Sequence, residues 1–119
     1  MSGSQLGGNR QLAEIKAELF KALAHPHRVR VLEILVDGER TVSDLVREVG
    51  IEASHLSQQL AVLRRAGVVT TRKEGTSVIY ALRDETVAEL LAVAKRFLLT
   101  SLQDTRDLLT DLTAEVAPR

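Results

Sequence analysis

Residues 42–82, VSDLVREVGIEASHLSQQLAVLRRAGVVTTRKEGTSVIYAL, hold two short helical patterns, a glycine turn between them and a two-strand pattern after them. Thr41 opens the first helix with Asp44 three residues on, the spacing of a capping box. Val42, Leu45, Val46 and Val49 line one face of it before Gly50 stops it. A second helix is expected over about 52–66. Its apolar positions Ala53, Leu56, Leu60 and Leu63 follow the i, i+3, i+4 rule, whereas Ser54, Gln58, Ala61 and Arg65 fall opposite, flanked by His55 and Ser57. Gly67 stands where a helix C′ glycine belongs, and Val68–Lys73 and Ser77–Leu82 read as β-rich runs around Glu74-Gly75-Thr76.

Helix, tight turn, helix and hairpin is the order of a winged helix-turn-helix, in which the second helix and the hairpin, or wing, read nucleic acid. A polar face of Ser54, His55, Ser57 and Gln58 suits base edges in a major groove, Gln58 through bidentate bonding to adenine. Arg64, Arg65, Arg72 and Lys73 face one acid, Glu74, between residues 54 and 75, so a chain of zero formal net charge builds a locally basic surface there. These four are expected to hold phosphates, with Arg72 able to enter a minor groove. Gln59 lies nearer the buried arc and is expected to buttress the helix.

Outward from this stretch, residues 1–10 are rich in Gly, Ser, Asn and Gln without periodicity and are expected to be a disordered lead. Leu12, Ile15, Leu19 and Leu23 then mark a first amphipathic helix. Pro26 fits the first position of a second, whose expected buried side is Val29, Leu32, Leu35 and Val36. The fold class is therefore mainly α with a small β-hairpin, in the order αααα-ββ-α, with one domain over 11–117.

From Asp84 to about residue 117, Val87, Leu91, Ala94, Leu98, Leu102, Leu109, Leu112 and Val116 recur at alternating spacings of three and four, interrupted by Thr105. A helix of about 30 residues is ~45 Å long, more than a compact core of this size spans. Its excess apolar face needs another chain, so a homodimer is expected, with Leu12, Ile15, Leu19, Val87, Leu91, Leu98, Leu102 and Leu109 at the interface.

The chain has 119 residues, 45% hydrophobic and 27% charged, enough for one core. There is no run of 18 apolar residues and no charged-then-apolar leader, so no membrane span is expected and the cytoplasm is the simplest compartment. Cysteine is absent, which excludes disulfides, zinc–thiolate centres and thiol redox sensing by this chain. Ser54 and Ser57 beside His55 lack a nucleophile elbow and an orienting acid, so no enzyme is read here.

Two motifs carry a resemblance. Leu23-Ala24-His25-Pro26-His27-Arg28-Val29-Arg30-Val31-Leu32, and Ser54-His55-Leu56-Ser57-Gln58-Gln59-Leu60 continuing through Val62-Leu63-Arg64-Arg65-Ala66-Gly67-Val68, resemble the ArsR/SmtB-type winged-helix repressors of bacteria over roughly residues 12–100. The resemblance implies a homodimer that binds double-stranded operator DNA and blocks transcription. The other reading of the fold is a protein-interaction module that docks a co-regulator protein through the long last helix.

Many of these repressors bind metals through cysteines on the helix that here begins Thr41-Val42-Ser43, where this chain offers Thr41 and Ser43. Others use acids and histidines on the last helix. Asp84 matches the first acid, but Thr86, Phe97 and Thr100 stand where the remaining ligands are implied. No cofactor is assigned on this basis. His25 and His27, with nearby carboxylates, are the residual candidates for nickel or cobalt, although His25 near a helix N-cap has a structural explanation, and His55 is read with DNA or solvent.

Overall fold

The computed structural model describes residues 2–116, with the side chains of 10–114. Its elements are α1 (Ser2–Leu23), α2 (Pro26–Val36), β1 (Arg40–Thr41), α3 (Val42–Val49), α4 (Ala53–Arg65), β2 (Val69–Glu74), β3 (Ser77–Leu82) and α5 (Glu85–Val116). The expected order holds with one addition, β1. This two-residue strand pairs antiparallel with β3, Arg40 opposite Tyr80 and Thr41 opposite Ile79, giving the sheet order β1-β3-β2. The lead is the other difference: α1 is helical from Ser2, where disorder was expected for residues 1–10. Once a helix is nucleated, each added residue gains a hydrogen bond, so the amphipathic turns can extend upstream through poor helix formers.

Local chemistry sets the boundaries around the helix-turn-helix. Thr41 accepts from the Asp44 amide at 3.1 Å while Asp44 accepts from the Thr41 amide at 3.2 Å, the reciprocal capping box. Gly50 ends α3 in the left-handed region at φ 78°, which a side chain would disfavour. At the end of α4 the Val68 amide bonds to the Leu63 carbonyl and the Gly67 amide to that of Arg64, a Schellman arrangement with Gly67 at φ 76°. Its accompanying apolar contact is built from Leu63 and Val68, both in the core. The Val68 carbonyl then accepts from Arg83, closing the base of the β2–β3 hairpin.

The core joins Val31, Leu32, Ile34 and Leu35 of α2 to Leu45 of α3, Leu56, Leu60 and Leu63 of α4, and Val68, Val69, Tyr80 and Val87. Val36, expected inside, is exposed, and Val29 is half-buried. Because α3, α4, α5 and β3 all pack on α2, its covered arc is centred on Val31 and Leu32. Ala53, counted on the inner face of α4, is also exposed, as the first residue of that helix.

Of the residues expected at a dimer interface, Val87 is buried in the protomer's own core, and Leu19 and Leu91 pack against that core. The helical period identifies an apolar face and not what covers it. The remainder of the stripe is bare: Ile15 is 66% exposed and Leu102 66%, and Leu12, Leu98 and Leu109 are exposed with them. α5 has 32 residues, hence a length of ~48 Å. The radius of gyration is 20.0 Å, against ~13.5 Å for a compact domain of this size.

The capping box makes a testable prediction. Thr41→Ala should cost about 0.5–2 kcal/mol of stability, measured by denaturant unfolding at neutral pH. The Thr41 amide, with Arg47, holds the Asp44 carboxyl below its ordinary value. Its stabilisation is therefore complete above the unfolded value of about 3.9 and is lost as pH falls through the folded one. The advantage of the wild type over Asp44→Asn should shrink on acidification; a constant gap would exclude this charge-assisted cap.

Candidate nucleic-acid interface

α4 is divided lengthwise. Leu56, Gln59, Leu60 and Leu63 are buried, while Ser54, Ser57, Gln58, Arg64 and Arg65 are exposed. Gln59 is the polar member of the buried side, and its Oε1 accepts from Arg28 Nη1 at 2.8 Å. The same guanidinium donates to the carbonyls of Lys21 and Ala22 at the end of α1. Arg28 thus ties three helices together and satisfies carbonyls that a helix C-terminus leaves without partners. Gln59 was legible as a buttress; its donor, 31 residues away, was not.

The first turn of α4 is open at its end. Glu52 makes no side-chain capping bond, so amides near Ser54 remain for an outside acceptor. Ser54, Ser57 and Gln58 sit together on this exposed part. Arg64 and Arg65 occupy the last turn, roughly 16 Å along the axis from Ser54, where their charge also complements the helix dipole. Arg65 borders the cleft between α1 and α4 beside Glu14 and Glu18.

His55 departs from its expected position. It is half-buried, with its ring centroid 4.9 Å from that of His27 and 6.2 Å from that of His25. The third group near His25 and His27 is therefore His55, and no carboxylate belongs to the cluster among the described residues. His25 is the N-cap of α2: its backbone is extended and its Nδ1 accepts from the His27 amide at 3.1 Å.

The wing carries Arg72 and Lys73, both exposed. Arg72 is already held by Glu39, from the loop before β1, and by Glu74 at 3.3 Å. The bond to Glu39 raises the guanidinium pKa, and because arginine stays protonated in any case, the consequence is occupancy of its donors. Lys73 forms no ion pair among the described residues. Glu39 lies 33 residues before Arg72, and β1 brings it to the wing.

The metal positions implied by the family resemblance do not fit this chain. Thr41 is committed to the α3 cap. Asp84 Oδ1 accepts from the Thr86 amide at 2.9 Å and from its hydroxyl, contacts that hold the carboxyl below its ordinary pKa. Phe97, which offers no ligand atom, is 69% exposed.

Comparison with known proteins agrees with this geometry. The model of the arsR family of bacterial regulatory proteins matches residues 25–71. The HTH-type transcriptional regulator Rv0081 of Mycobacterium tuberculosis is 52% identical over 104 residues, 87% of this chain and 91% of that one. Its crystal structure aligns with a TM-score of 0.76 at 53% identity, over 79% of this chain and 95% of the other. The biofilm growth-associated repressor of Xylella fastidiosa is 41% identical over 75 residues, 63% of this chain and 66% of the repressor. The homodimeric winged helix-turn-helix DNA-binding domain Mb0332 of Mycobacterium bovis, solved in solution, aligns with a TM-score of 0.75 at 31% identity, over 81% of this chain and 89% of that one. With about half its residues identical to a regulator that it matches almost end to end, and with a recognition-type helix and wing on a shared core, the chain belongs to the arsR family, DNA-binding transcriptional regulators rather than enzymes.

Proposed function

We propose that the protein is a homodimeric repressor that reads an inverted-repeat operator through α4 and the β2–β3 wing. The observation that carries this reading is the lengthwise division of α4: its inner arc is fixed in the core while Ser54, Ser57 and Gln58 stand free on a rigid outer arc. A reading element needs that combination, because base discrimination depends on donors and acceptors held at fixed positions. Gln58 reads adenine. Arg64, Arg65, Arg72 and Lys73 hold phosphates and position the helix. Support for repression comes from relatives such as the Xylella repressor.

Dimerisation is supported by the bare stripe on α5 from Val93 to Leu112 together with Leu12, Ile15 and Phe20 on α1, and by the homodimeric relative. Apolar surface on this scale on one protomer marks an interaction site. Two copies of α4 related by a twofold axis would enter successive major grooves ~34 Å apart. Occupation of a promoter by such a dimer excludes polymerase. Control through thiolates is closed to a chain without cysteine.

Alanine at position 58 tests the reading role. Gln58→Ala should cost roughly 1–3 kcal/mol at the cognate site and relax preference at one base position, as measured by competition binding with single-base variants. The pair Arg72→Ala and Lys73→Ala should instead weaken cognate and random DNA alike and reduce the salt slope by about 2. If neither set changes binding, α4 and the wing are not the interface.

Glu39 tests the occupancy of the wing arginine. Glu39→Gln removes one of the two carboxylates that a phosphate must displace from Arg72, so affinity should rise for any DNA sequence while the number of phosphate contacts, and hence the salt slope, stays about the same. Weaker binding in this variant would mean that Glu39 orients Arg72 for DNA rather than competing with it.

Assembly is tested at Leu102. Leu102→Glu places a carboxylate on the proposed seam and should split or unfold the dimer, with operator affinity lost in parallel. Sedimentation of the wild type as a folded monomer at micromolar concentration would contradict the two-headed arrangement.

A further inference from the structure

His25 and His27 stand at the start of α2 and His55 in the first turn of α4. One ligand nitrogen of each lies within 4.8 Å of the other two, and all three residues are half-buried. The rings do not stack: His27 meets His55 at 79°, His25 meets His55 at 87°, and His25 is tilted 46° from His27. His27 Nδ1 is buried without a hydrogen-bond partner among the described residues, and folded proteins seldom leave such an atom unused. A tetrahedral site with nitrogen–metal bonds of about 2.1 Å sets its ligand nitrogens roughly 3.4 Å apart. Side-chain rotations that move the nitrogens by about an ångström therefore close the observed triangle. Desolvation, together with Arg28 and the other two rings, lowers the pKa of His25, in the direction that favours the neutral ring a metal requires.

We propose that His25, His27 and His55 form a binding site for one borderline divalent transition-metal ion of the zinc, cobalt and nickel class, with water in the remaining positions. Three imidazole nitrogens, with no carboxylate among them, select that class over magnesium and calcium, which require oxygen. The site shares no residue with the metal positions that the family resemblance implies.

Occupation has two structural consequences. The Nδ1 lone pair of His25 now accepts from the His27 amide. Ligation through Nδ1 takes that lone pair, and ligation through Nε2 moves the ring proton onto Nδ1, so either mode removes the cap bond at the start of α2. His55 lies in the first turn of α4 beside the exposed Ser54, Ser57 and Gln58, so gathering it toward α2 shifts that turn and loosens the hold on DNA. This second consequence rests on the DNA-reading role proposed above.

Titration of the untagged full-length protein with cobalt(II), followed by visible absorption, tests the site. One ion per protomer should give the intense bands of a low-coordinate nitrogen site. His27→Gln and His55→Gln should each weaken binding at least about tenfold with unchanged far-UV circular dichroism, and Asp84→Asn should leave it unaltered. A spectrum of the aqueous ion, or full binding in His55→Gln, would overturn the assignment. Operator affinity of the wild type should be about tenfold weaker in zinc than in chelator and equal under both conditions in His55→Gln. Equal affinities in the wild type would overturn the coupling. Absence of operator binding under either condition would refute the DNA-reading role and leave the cobalt result standing.

Discussion

Leu56, Leu60 and Leu63 must leave water together, and the surface that receives them is the α2 arc around Val31, Leu32 and Leu35. Each such side chain contributes about 1.5–3 kcal/mol on burial, so the rotation of α4 about its own axis is set by these three residues. Arg28 adds direction to this non-directional force, because its bonds to Gln59 and to the end of α1 admit one register. The turn through Gly50 delivers α4 onto this surface and the Schellman turn at Gly67 launches the wing from its end. The outer arc is polar and fixed as a consequence.

What could be read along the chain is what is encoded locally. The Thr41/Asp44 cap, the two faces of α4, the turn at Gly67 and the hairpin around Gly75 each depend on residues a few positions apart. β1 was not legible, because two residues show no period and their partners Ile79 and Tyr80 lie far downstream. The contacts that modify the site are of the same long-range kind. Glu39 reaches Arg72 only because β1 joins the sheet, and His55 reaches His27 only because α4 packs on α2. In both cases the residue types were visible and their juxtaposition was not.

The last helix shows the complementary limit. Its apolar period continues on both sides of the Thr105 interruption from Val87 to Leu112, yet the protomer covers Val87 and Leu91 and leaves Phe97, Leu102 and Leu109 in solvent. Periodicity specifies a face; the length of the helix relative to the core specifies how much of it a second chain must cover. The basic surface is similarly conditional. Arg72 counts toward it by composition, but two carboxylates pair with it, so the wing is less positive than the sequence suggests.

In the proposed complex two copies of α4, held apart by a dimer, read one operator. Footprinting on a fragment selected by the protein from chromosomal DNA tests it most directly. A two-headed dimer should give two protected blocks related by a twofold axis, with centres one helical turn or a multiple of it apart, ~34 Å or a multiple thereof. A single protected block, or protection spread evenly over any sequence, would contradict it.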